Sequence, residues 1–379
     1  MDKAKPKVGI ITYHSAFNFG SVLQTYGTVR TIEKLGYSVE TIDYQTPSQK
    51  LWYRTDCALK KWKETIVNYG FLFKHKARRE RAKKFCDFIS NYLNITEREY
   101  SSYDEIKKAD ELNYEILISG SDQVWNINCG EFRYEPFEAI LPYFLQFGNP
   151  RKRIAYASSF AKKNLDYILK VKPYLDQYDF LSTREPMMKK VMDEGLERKT
   201  ELVCDPTWLL TKEEWLKLPG IYKPKTASPY IFVYVLGWSR ADIGDWLNVV
   251  KQMAKNREMD VICISPLTYY SDRNVKMIHN AGPLDFLSYI ANASLVITNT
   301  FHGTIFSINF EKPFFSINAR PDSRQGQMLE MTRLTGRSIM STEALVGAKK
   351  WDMDFGRSTE ILNEFRKKSI DYLKHALND

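Results

Sequence analysis

The 379-residue sequence lacks two kinds of apolar segment, a membrane-spanning run and a secretory leader. Nowhere do about eighteen uncharged apolar residues follow one another, which is roughly the length that a membrane helix needs. The N-terminal segment MDKAKPKVGIITYH contains no apolar run long enough for a signal peptide. We therefore expect a cytoplasmic protein.

Cysteine is scarce as well, and its spacing fits no metal motif. The five cysteines are widely spread, form no C-x-x-C pair and have no nearby His ligands, so we expect free thiols and no metal site. The sequence also lacks a G-x-G-x-x-G fingerprint, so it does not indicate a dinucleotide cofactor. No DNA- or RNA-binding motif is present, and nucleic acid is not an expected partner.

Positive charge, by contrast, is abundant and concentrated. The net charge is +9, and between Arg54 and Lys84 there are eleven Lys and Arg residues against three acidic ones. A basic helical stretch with interspersed aromatic residues suits an anionic lipid surface or a polyanionic substrate. A solvated amphipathic arm has the same composition, so both interpretations stay open.

Short β-branched runs that end in polar turns and lead into helices recur along the chain, and this pattern predicts an α/β fold. The length favours two domains. We predict a Rossmann-like N-terminal domain over 1–210, with a basic helical insertion at 47–112, and a Rossmann-like C-terminal domain over 211–357. Residues 358–379 are predicted to form a helix that crosses back onto the N-terminal domain. Polar strand ends of the two domains are expected to face a common cleft.

The strongest candidate for chemistry is His302. It follows a predicted buried strand, Ala293–Thr298, at the turn into a helix predicted over Thr304–Phe310. Helix N-termini at such turns favour anions, and Gly303 would let a ligand approach closely. The hydroxyl of Thr300 suits either a helix cap or a phosphate contact. A structural, hydrogen-bonded His is the alternative for His302.

A second polar turn follows the predicted strand Tyr114–Ser119. Here Asp122 has the chemistry of a general base toward a hydroxyl, Gln123 and Asn126 could hydrogen-bond a sugar, and Trp125 could stack on its apolar face. The alternative is an Asx-type turn with a buried Trp beneath it.

Further polar residues are predicted at the same cleft. Arg184 follows another strand, and its planar guanidinium suits a carboxylate or phosphate, although pairing with Glu185 would merely stabilise the turn. Asn18 lies in the turn after the first strand. Arg320 and Arg324 lie in a polar loop after the strand that follows His302.

Taken together, five motifs resemble the polysaccharide pyruvyl transferase family. They occur in the family's order and span roughly residues 8 to 340. The matching segments are N-F-G-S-V-L-Q-T-Y-G (Asn18 to Gly27), I-S-G-S-D-Q-V-W-N (Ile118 to Asn126), S-T-R-E (Ser182 to Glu185), D-P-T (Asp205 to Thr207) and T-N-T-F-H-G-T-I-F-S (Thr298 to Ser307).

The resemblance implies a GT-B-like fold and transfer of a pyruvyl group from phosphoenolpyruvate to a sugar of a surface polysaccharide or its precursor. A ketal would form and phosphate would leave, with no cofactor and no metal. By this likeness His302 is the catalytic acid/base, Arg184 a donor ligand and Asp122 an acceptor-side residue. A lipid-linked acceptor and peripheral contact with an anionic membrane, at its inner face, fit the same expectation.

One departure from the family concerns the donor. Better-studied members have an Arg two residues before the His, in an R-L-H-G pattern, and this chain has Thr300-Phe301-His302-Gly303. Arg320, Arg324 or a helix N-terminus would then supply part of the missing charge. The rival expectations are a GT-B nucleotide-sugar glycosyltransferase and a sugar-binding relative without catalysis.

Overall fold

The computed structural model describes residues 6–53, 69–161, 164–221, 223 and 226–378. Among these, unit 1 comprises 6–53, 85–210 and 364–378, and unit 2 comprises 69–84 and the described part of 211–363. Residues 54–68, which carry part of the basic stretch 54–84, lie outside the described residues. The prediction of lipid or polyanion contact for that part is therefore not addressed by the fold.

Unit 1 is built on a four-stranded, fully parallel sheet in the order β2-β1-β3-β4. In the register, Val8 lies opposite Val39 on one side and Ile116 on the other. β1 (VGII) and β3 (ILIS) are buried at every residue, as such apolar sequences require in a sheet covered on both faces. The strands are β1 (Val8–Ile11), β2 (Val39–Thr41), β3 (Ile116–Ser119) and β4 (Lys152–Ala155), with a separate parallel pair β5 (Ser182–Thr183) and β6 (Glu201–Leu202).

Helices precede and follow these strands along the chain, and the first of them shows why the sequence folds as it does. The side chain of Asn18 caps α1, and Gly36, at φ +84°, follows its C-terminal end in the left-handed conformation that glycine tolerates best. The helices are α1 (Phe19–Lys34), α2 (Pro47–Tyr53), α3 (Tyr69–Tyr92), α4 (Tyr103–Lys107), α5 (Leu165–Leu175) and α6 (Pro186–Leu196), with 3₁₀ turns at Gly130–Phe132, Phe137–Phe144 and Pro206–Trp208.

Unit 2 contains a six-stranded parallel sheet in the order β12-β11-β10-β7-β8-β9. The central strands β7 and β10 are buried at every residue and pair from Leu295–Ile231 to Thr298–Tyr234. The strands are β7 (Tyr230–Tyr234), β8 (Asp260–Ile264), β9 (Lys276–Met277), β10 (Leu295–Thr298), β11 (Phe314–Ile317) and β12 (Ser338–Ile339).

The helices of unit 2 alternate with its strands, as in a Rossmann-like α/β unit. They are α7 (Lys212–Leu216), α8 (Arg240–Lys255), α9 (Pro283–Ala291), α10 (Phe301–Asn309), α11 (Arg324–Met331) and α12 (Thr342–Gly347), with a 3₁₀ turn at Thr335–Arg337. Helix α10 begins three residues earlier than the predicted Thr304 because Thr300 acts as its N-cap.

Two segments differ from the predicted domain assignment. The sequence predicts that the insertion 47–112 lies wholly in the first domain, yet residues 69–84 of α3 belong to unit 2. Side-chain contacts explain this, since Lys84 Nζ lies 2.7 Å from Asp285 Oδ2 and Asn280 Nδ2 donates to Glu80 Oε2 at 2.7 Å. The last helix, α13 (Gly356–Asn378), starts in unit 2 and enters unit 1 at Glu364, later than the predicted 358.

Among the described residues there is neither a membrane-spanning helix nor a cluster of metal ligands. None of their helices combines the length and apolar character needed to cross a membrane. In the same residues there is no group of three or more His, Cys, Asp or Glu side chains placed to hold a metal ion.

Candidate active site

Strand order locates the expected binding edge in each sheet, because ligands of open α/β sheets collect where the order reverses, beyond the carboxyl ends of the strands. In unit 2 the chain runs outward from β7 through β8 to β9 and then from β10 through β11 to β12, so the reversal lies between β7 and β10. In unit 1 it lies between β1 and β3. The segments with His302 and Asp122 follow β10 and β3, at these two points.

The reversal point of unit 2 is held together by Asn299. Its side-chain Nδ2 donates to the carbonyl oxygen of Leu236 at 2.8 Å, and its Oδ1 accepts the Leu236 N–H at 2.9 Å. Leu236 follows β7 and Asn299 follows β10, so one amide side chain joins the two strand ends. Gln325 Nε2 donates to the Asn299 carbonyl oxygen at 2.8 Å, which adds the start of α11 to the same site.

Thr300 and Gly303 shape the start of α10. The Thr300 hydroxyl accepts the Gly303 N–H at 2.9 Å and lies 2.9 Å from Thr298 Oγ1. A Cβ at Gly303 would lie 2.6 Å from Thr300 Oγ1 and closer still to Thr298 Oγ1, so glycine is required by packing. The capping alternative for Thr300 is the one observed, and the Gly303 N–H is already used by this cap. Contact between the donor and the Thr300 hydroxyl stays a prediction.

His302 is partly exposed in the first turn of α10. Its ring lies edge-on to that of Phe301, with centroids 5.3 Å apart, and the Arg324 guanidinium carbon lies 5.5 Å from the same Phe301 ring. An imidazole and a partly exposed guanidinium therefore flank one aromatic side chain. Arg320 is more exposed than Arg324: its side chain is 71% exposed, and its Nε lies 3.9 Å from Asp322 Oδ1.

At the carboxyl edge of unit 1, Asp122 is held in an unusual conformation. Its φ of +80° is rare for a residue with a side chain and typical of strained functional turns. Ser21 Oγ donates to its carboxylate at 2.5 Å, and the Gln123 N–H donates to it at 2.9 Å. The side chain keeps 13% of its surface exposed, so the carboxylate is oriented without being sealed from solvent.

Arg184 is buried among carboxylates. One of its terminal nitrogens lies 2.6 Å from Asp205 Oδ2, the other lies 3.4 Å from Asp122 Oδ1, and only 1% of its side chain is exposed. Burial acts to lower the pKa of Arg184, but the charges of Asp205, Asp122 and Glu185 outweigh it and raise the pKa above its usual value. The structure contradicts direct donor binding by Arg184, because a ligand would have to displace one of these internal ion pairs. The guanidinium instead positions Asp122.

Trp125 requires a second correction. Its side chain is fully buried, its Nε1 donates to the Tyr143 carbonyl oxygen at 3.0 Å, and its ring stacks on that of Phe144 at 5.7 Å. The predicted stacking on a sugar is wrong because no face of the indole is accessible. The alternative with a buried Trp beneath the turn is the one observed.

The other predicted acceptor-side residues remain accessible. Gln123 and Asn126 are partly exposed, and Asn126 Nδ2 donates to Gln123 Oε1 at 3.1 Å. Asn18 is also partly exposed, although its Oδ1 accepts the Gly20 N–H at 3.0 Å and caps α1. Binding of a sugar by these three residues stays a prediction.

Sequence reasoning missed a buried His–Asp pair at the same edge of unit 1. His14 Nε2 lies 3.0 Å from Asp43 Oδ1, and its Nδ1 lies 3.2 Å from the carbonyl oxygen of Thr12. Both ring nitrogens thus face oxygen atoms that can accept a hydrogen bond. Burial acts to raise the pKa of Asp43, but the hydrogen bond from His14 and its charge bring it below the usual value. Both residues follow strands, β1 and β2, which was the available signal.

The two parallel sheets and their polar carboxyl edges define a two-unit Rossmann-like protein of the GT-B-like class. The chain is similar to the UDP-N-acetylglucosamine 2-epimerase of Methanocaldococcus jannaschii in complex with UDP-GlcNAc and UDP (14% identity, 94% of this chain and 99% of that chain covered, TM-score 0.54). It is also similar to the UDP-N-acetylglucosamine 2-epimerase of Rickettsia bellii (9% identity, 98% of each chain covered, TM-score 0.53). At these identities the likeness concerns the fold alone.

The family follows from the sequence. The family model described as polysaccharide pyruvyl transferase matches residues 18–320. The chain belongs to the polysaccharide pyruvyl transferase family, as its five motifs had indicated. A search of proteins with curated function gives no sequence match.

Proposed function

We propose that the protein transfers a pyruvyl group from phosphoenolpyruvate to two hydroxyls of one sugar in a surface polysaccharide or its precursor, forming a cyclic ketal and releasing phosphate. Family membership supports pyruvyl transfer in general. The observation that carries the donor assignment is the grouping of His302 and Arg324 around Phe301 at the β7–β10 reversal point. The imidazole can donate a proton and the guanidinium can bind an anionic group, and an enol phosphate requires both.

The reaction begins at the methylene carbon of the donor. Protonation of that carbon by His302 produces a methyl group and leaves C2 electron-poor. A sugar hydroxyl adds to C2 and gives up its proton, the C2–O bond to phosphate breaks, and a second hydroxyl closes the ring. Two hydroxyl protons are lost in total: one balances the proton gained by the methyl carbon, and the other leaves with phosphate.

Arg324 is proposed to bind the donor's phosphate or carboxylate. Its guanidinium supplies the positive charge that an Arg in place of Thr300 would have provided. A guanidinium can donate two parallel hydrogen bonds to either group. Arg320, exposed on the same loop, is proposed as an auxiliary contact.

Asp122 is proposed to accept the proton of the attacking hydroxyl. Its carboxylate is fixed by Ser21 and Arg184 and stays partly exposed. Gln123, Asn126 and Asn18 are proposed to hydrogen-bond the acceptor sugar. The proposed acceptor is lipid-linked, with the reaction in the cytoplasm at the inner face of the membrane, and the basic stretch 54–84 supports this location through its charge.

The test is a phosphate-release assay with phosphoenolpyruvate against a panel of sugar acceptors, with the ketal methyl group followed by NMR. We expect His302→Ala to lower kcat by about 10²–10⁴-fold, the usual contribution of a general acid or base. Arg324→Ala is expected to act mainly on KM for phosphoenolpyruvate, with partial recovery in Arg324→Lys. Exposed Arg273, changed to Ala, is the matched control.

Three outcomes would oppose the proposal. Saturation by UDP- or GDP-sugars in place of phosphoenolpyruvate would identify a glycosyltransferase. Binding of phosphoenolpyruvate without phosphate release on any acceptor would identify a relative without catalysis. Unchanged turnover in a folded His302→Ala protein would remove His302 from the mechanism.

A further inference from the structure

A cavity of about 590 Å³ opens on the amino edge of the six-stranded sheet of unit 2. Three of its lining residues directly precede strands: Met259 precedes β8, Ser294 precedes β10 and Pro313 precedes β11. His302 follows β10, so the cavity lies at the opposite end of that strand from the candidate active site. We call it the amino-edge cavity. The proposed function gives it no role.

Positive charge dominates the rim of the amino-edge cavity. Arg257, Lys349 and Lys350 line it, against a single carboxylate, Asp352. In the described part of the chain, neither Lys349 nor Lys350 has a carboxylate within salt-bridge distance, 4.0 Å. Cations collected around a concave surface attract anions more strongly than the same charges on a flat one.

The segment that bears the two lysines is held rigidly by arginines on both sides. An Arg257 terminal nitrogen donates to the Lys349 carbonyl oxygen at 3.2 Å, and its guanidinium carbon lies 3.8 Å from the centre of the Trp351 ring. Arg337 donates to the Trp351 carbonyl oxygen at 3.3 Å and to that of Asp352 at 2.9 Å. Order in the backbone reduces the entropy lost when a ligand binds.

Trp351 provides a spectroscopic reporter of the cavity. The residue is only 8% exposed, and among the described residues its indole Nε1 has no hydrogen-bond acceptor. An indole N–H can only donate, and a buried donor without an acceptor is rare and costly. Trp351 lines the amino-edge cavity, but its Nε1 is enclosed by protein atoms, so an anion bound in the cavity changes the indole N–H signal through its charge and not through a hydrogen bond.

We propose that the amino-edge cavity binds a phosphate-class anion with an attached apolar part. Phosphate oxygens accept from the ammonium groups of Lys349 and Lys350. The apolar part packs on Met259 and Pro313 and covers the aliphatic surface of the cavity. A phospholipid headgroup and a soluble organic phosphate share this chemistry.

The test follows Trp351 Nε1 directly. The full chain, labelled with nitrogen-15 in its eight tryptophans, is titrated with inorganic pyrophosphate, and the indole signal missing in Trp351→Phe is assigned to Trp351. We expect that signal to shift and saturate, and the affinity to fall about tenfold or more in K349E/K350E. The matched control is K367E/K368E, two adjacent exposed lysines of α13 with the same charge change.

A parallel arm measures cosedimentation with phosphatidylcholine vesicles, with and without phosphatidylglycerol. Binding that needs phosphatidylglycerol and is lost in K349E/K350E identifies a lipid headgroup, and a pyrophosphate response without vesicle binding identifies a soluble phosphate. The proposal is overturned if neither probe moves the Trp351 signal or sediments the protein, or if K349E/K350E responds like K367E/K368E. The other seven indole signals report whether each variant is folded, and K349Q/K350Q replaces any variant that is not.

Discussion

At the scale of single residues, one guanidinium and three carboxylates are buried together at the carboxyl edge of unit 1. Arg184 contacts Asp205 and Asp122, and its Nε lies 3.8 Å from Glu185 Oε1. Glu185 in turn accepts from Ser159 Oγ at 2.8 Å. Buried charges persist only when they are paired and hydrogen-bonded, so this network fixes the position of Asp122.

Replacing Arg184 with Met should therefore destabilise unit 1 strongly. The loss of the guanidinium leaves buried carboxylates without their counter-charge, and we expect the free energy of unfolding to fall by about 3–5 kcal/mol. Urea unfolding measures the change. Arg273→Met, at an exposed site, should stay within about 0.5 kcal/mol of wild type, and equal effects of the two variants would contradict the buried ion-pair network.

The His14–Asp43 pair predicts a pH-dependent stability. The pKa of Asp43 is lower in the folded protein than in the unfolded chain. The contribution of Asp43 to the free energy of unfolding is therefore fully present above about pH 4 and is lost as the pH falls through the folded-state pKa. Asp43→Asn should thus be less stable than wild type at pH 7, by about 1–3 kcal/mol for a charged hydrogen bond.

The gap in unfolding free energy between wild type and Asp43→Asn should narrow as the pH is lowered toward 3. Unfolding free energies at a series of pH values measure it, with exposed Asp110→Asn as the control. A gap that is constant over this range would show that the charge of Asp43 contributes nothing.

At the scale of elements, helix α10 determines where the imidazole of His302 lies. The helix starts at Phe301 because Thr300 caps it, and Gly303 allows the hydroxyls of Thr298 and Thr300 to approach the first turn. The position of His302 therefore depends on hydroxyl packing around its neighbour.

Gly303→Ala tests this dependence. Alanine normally stabilises a helix by about 1 kcal/mol relative to glycine, but here its Cβ would overlap two hydroxyl oxygens, and overpacking costs about 1–3 kcal/mol. We expect a net loss of stability together with a loss of pyruvyl transfer. Gly347→Ala, where nothing lies within 4 Å of the added Cβ, is the matched control and should keep both properties. A fully active Gly303→Ala would show that the start of α10 tolerates displacement.

At the scale of the whole molecule, α13 makes unit 1 depend on the far end of the chain. Ser369 Oγ accepts the Cys204 N–H at 2.8 Å, and Tyr372 Oη donates to the Ala155 carbonyl oxygen at 2.9 Å. Leu373 is completely buried in the same half of the helix. The core of unit 1 is thus completed by residues more than 150 positions beyond its last sheet strand.

Leu373→Ala should therefore weaken unit 1 and leave unit 2 unchanged. A buried Leu replaced by Ala costs about 2–5 kcal/mol, and Lys374→Ala, at the exposed neighbouring position, should cost little. Hydrogen exchange measured by mass spectrometry should show lower protection in 85–210, including the Cys204 amide, with protection in 211–363 retained. Equal loss in both units would mean that they unfold together.

Local signals in the sequence determined the elements and several site positions. Short apolar runs located β3 and β10, and the polar turns after them located Asp122 and His302, because strand ends and helix starts depend on residues close in the chain. Only the tertiary structure decided which of these polar side chains face solvent. Arg184 is neutralised by Asp205, 21 positions away, Asp122 is held by Ser21, 101 positions away, and Trp125 is covered by Phe144. Burial and charge pairing are set by such distant neighbours, which no local pattern encodes.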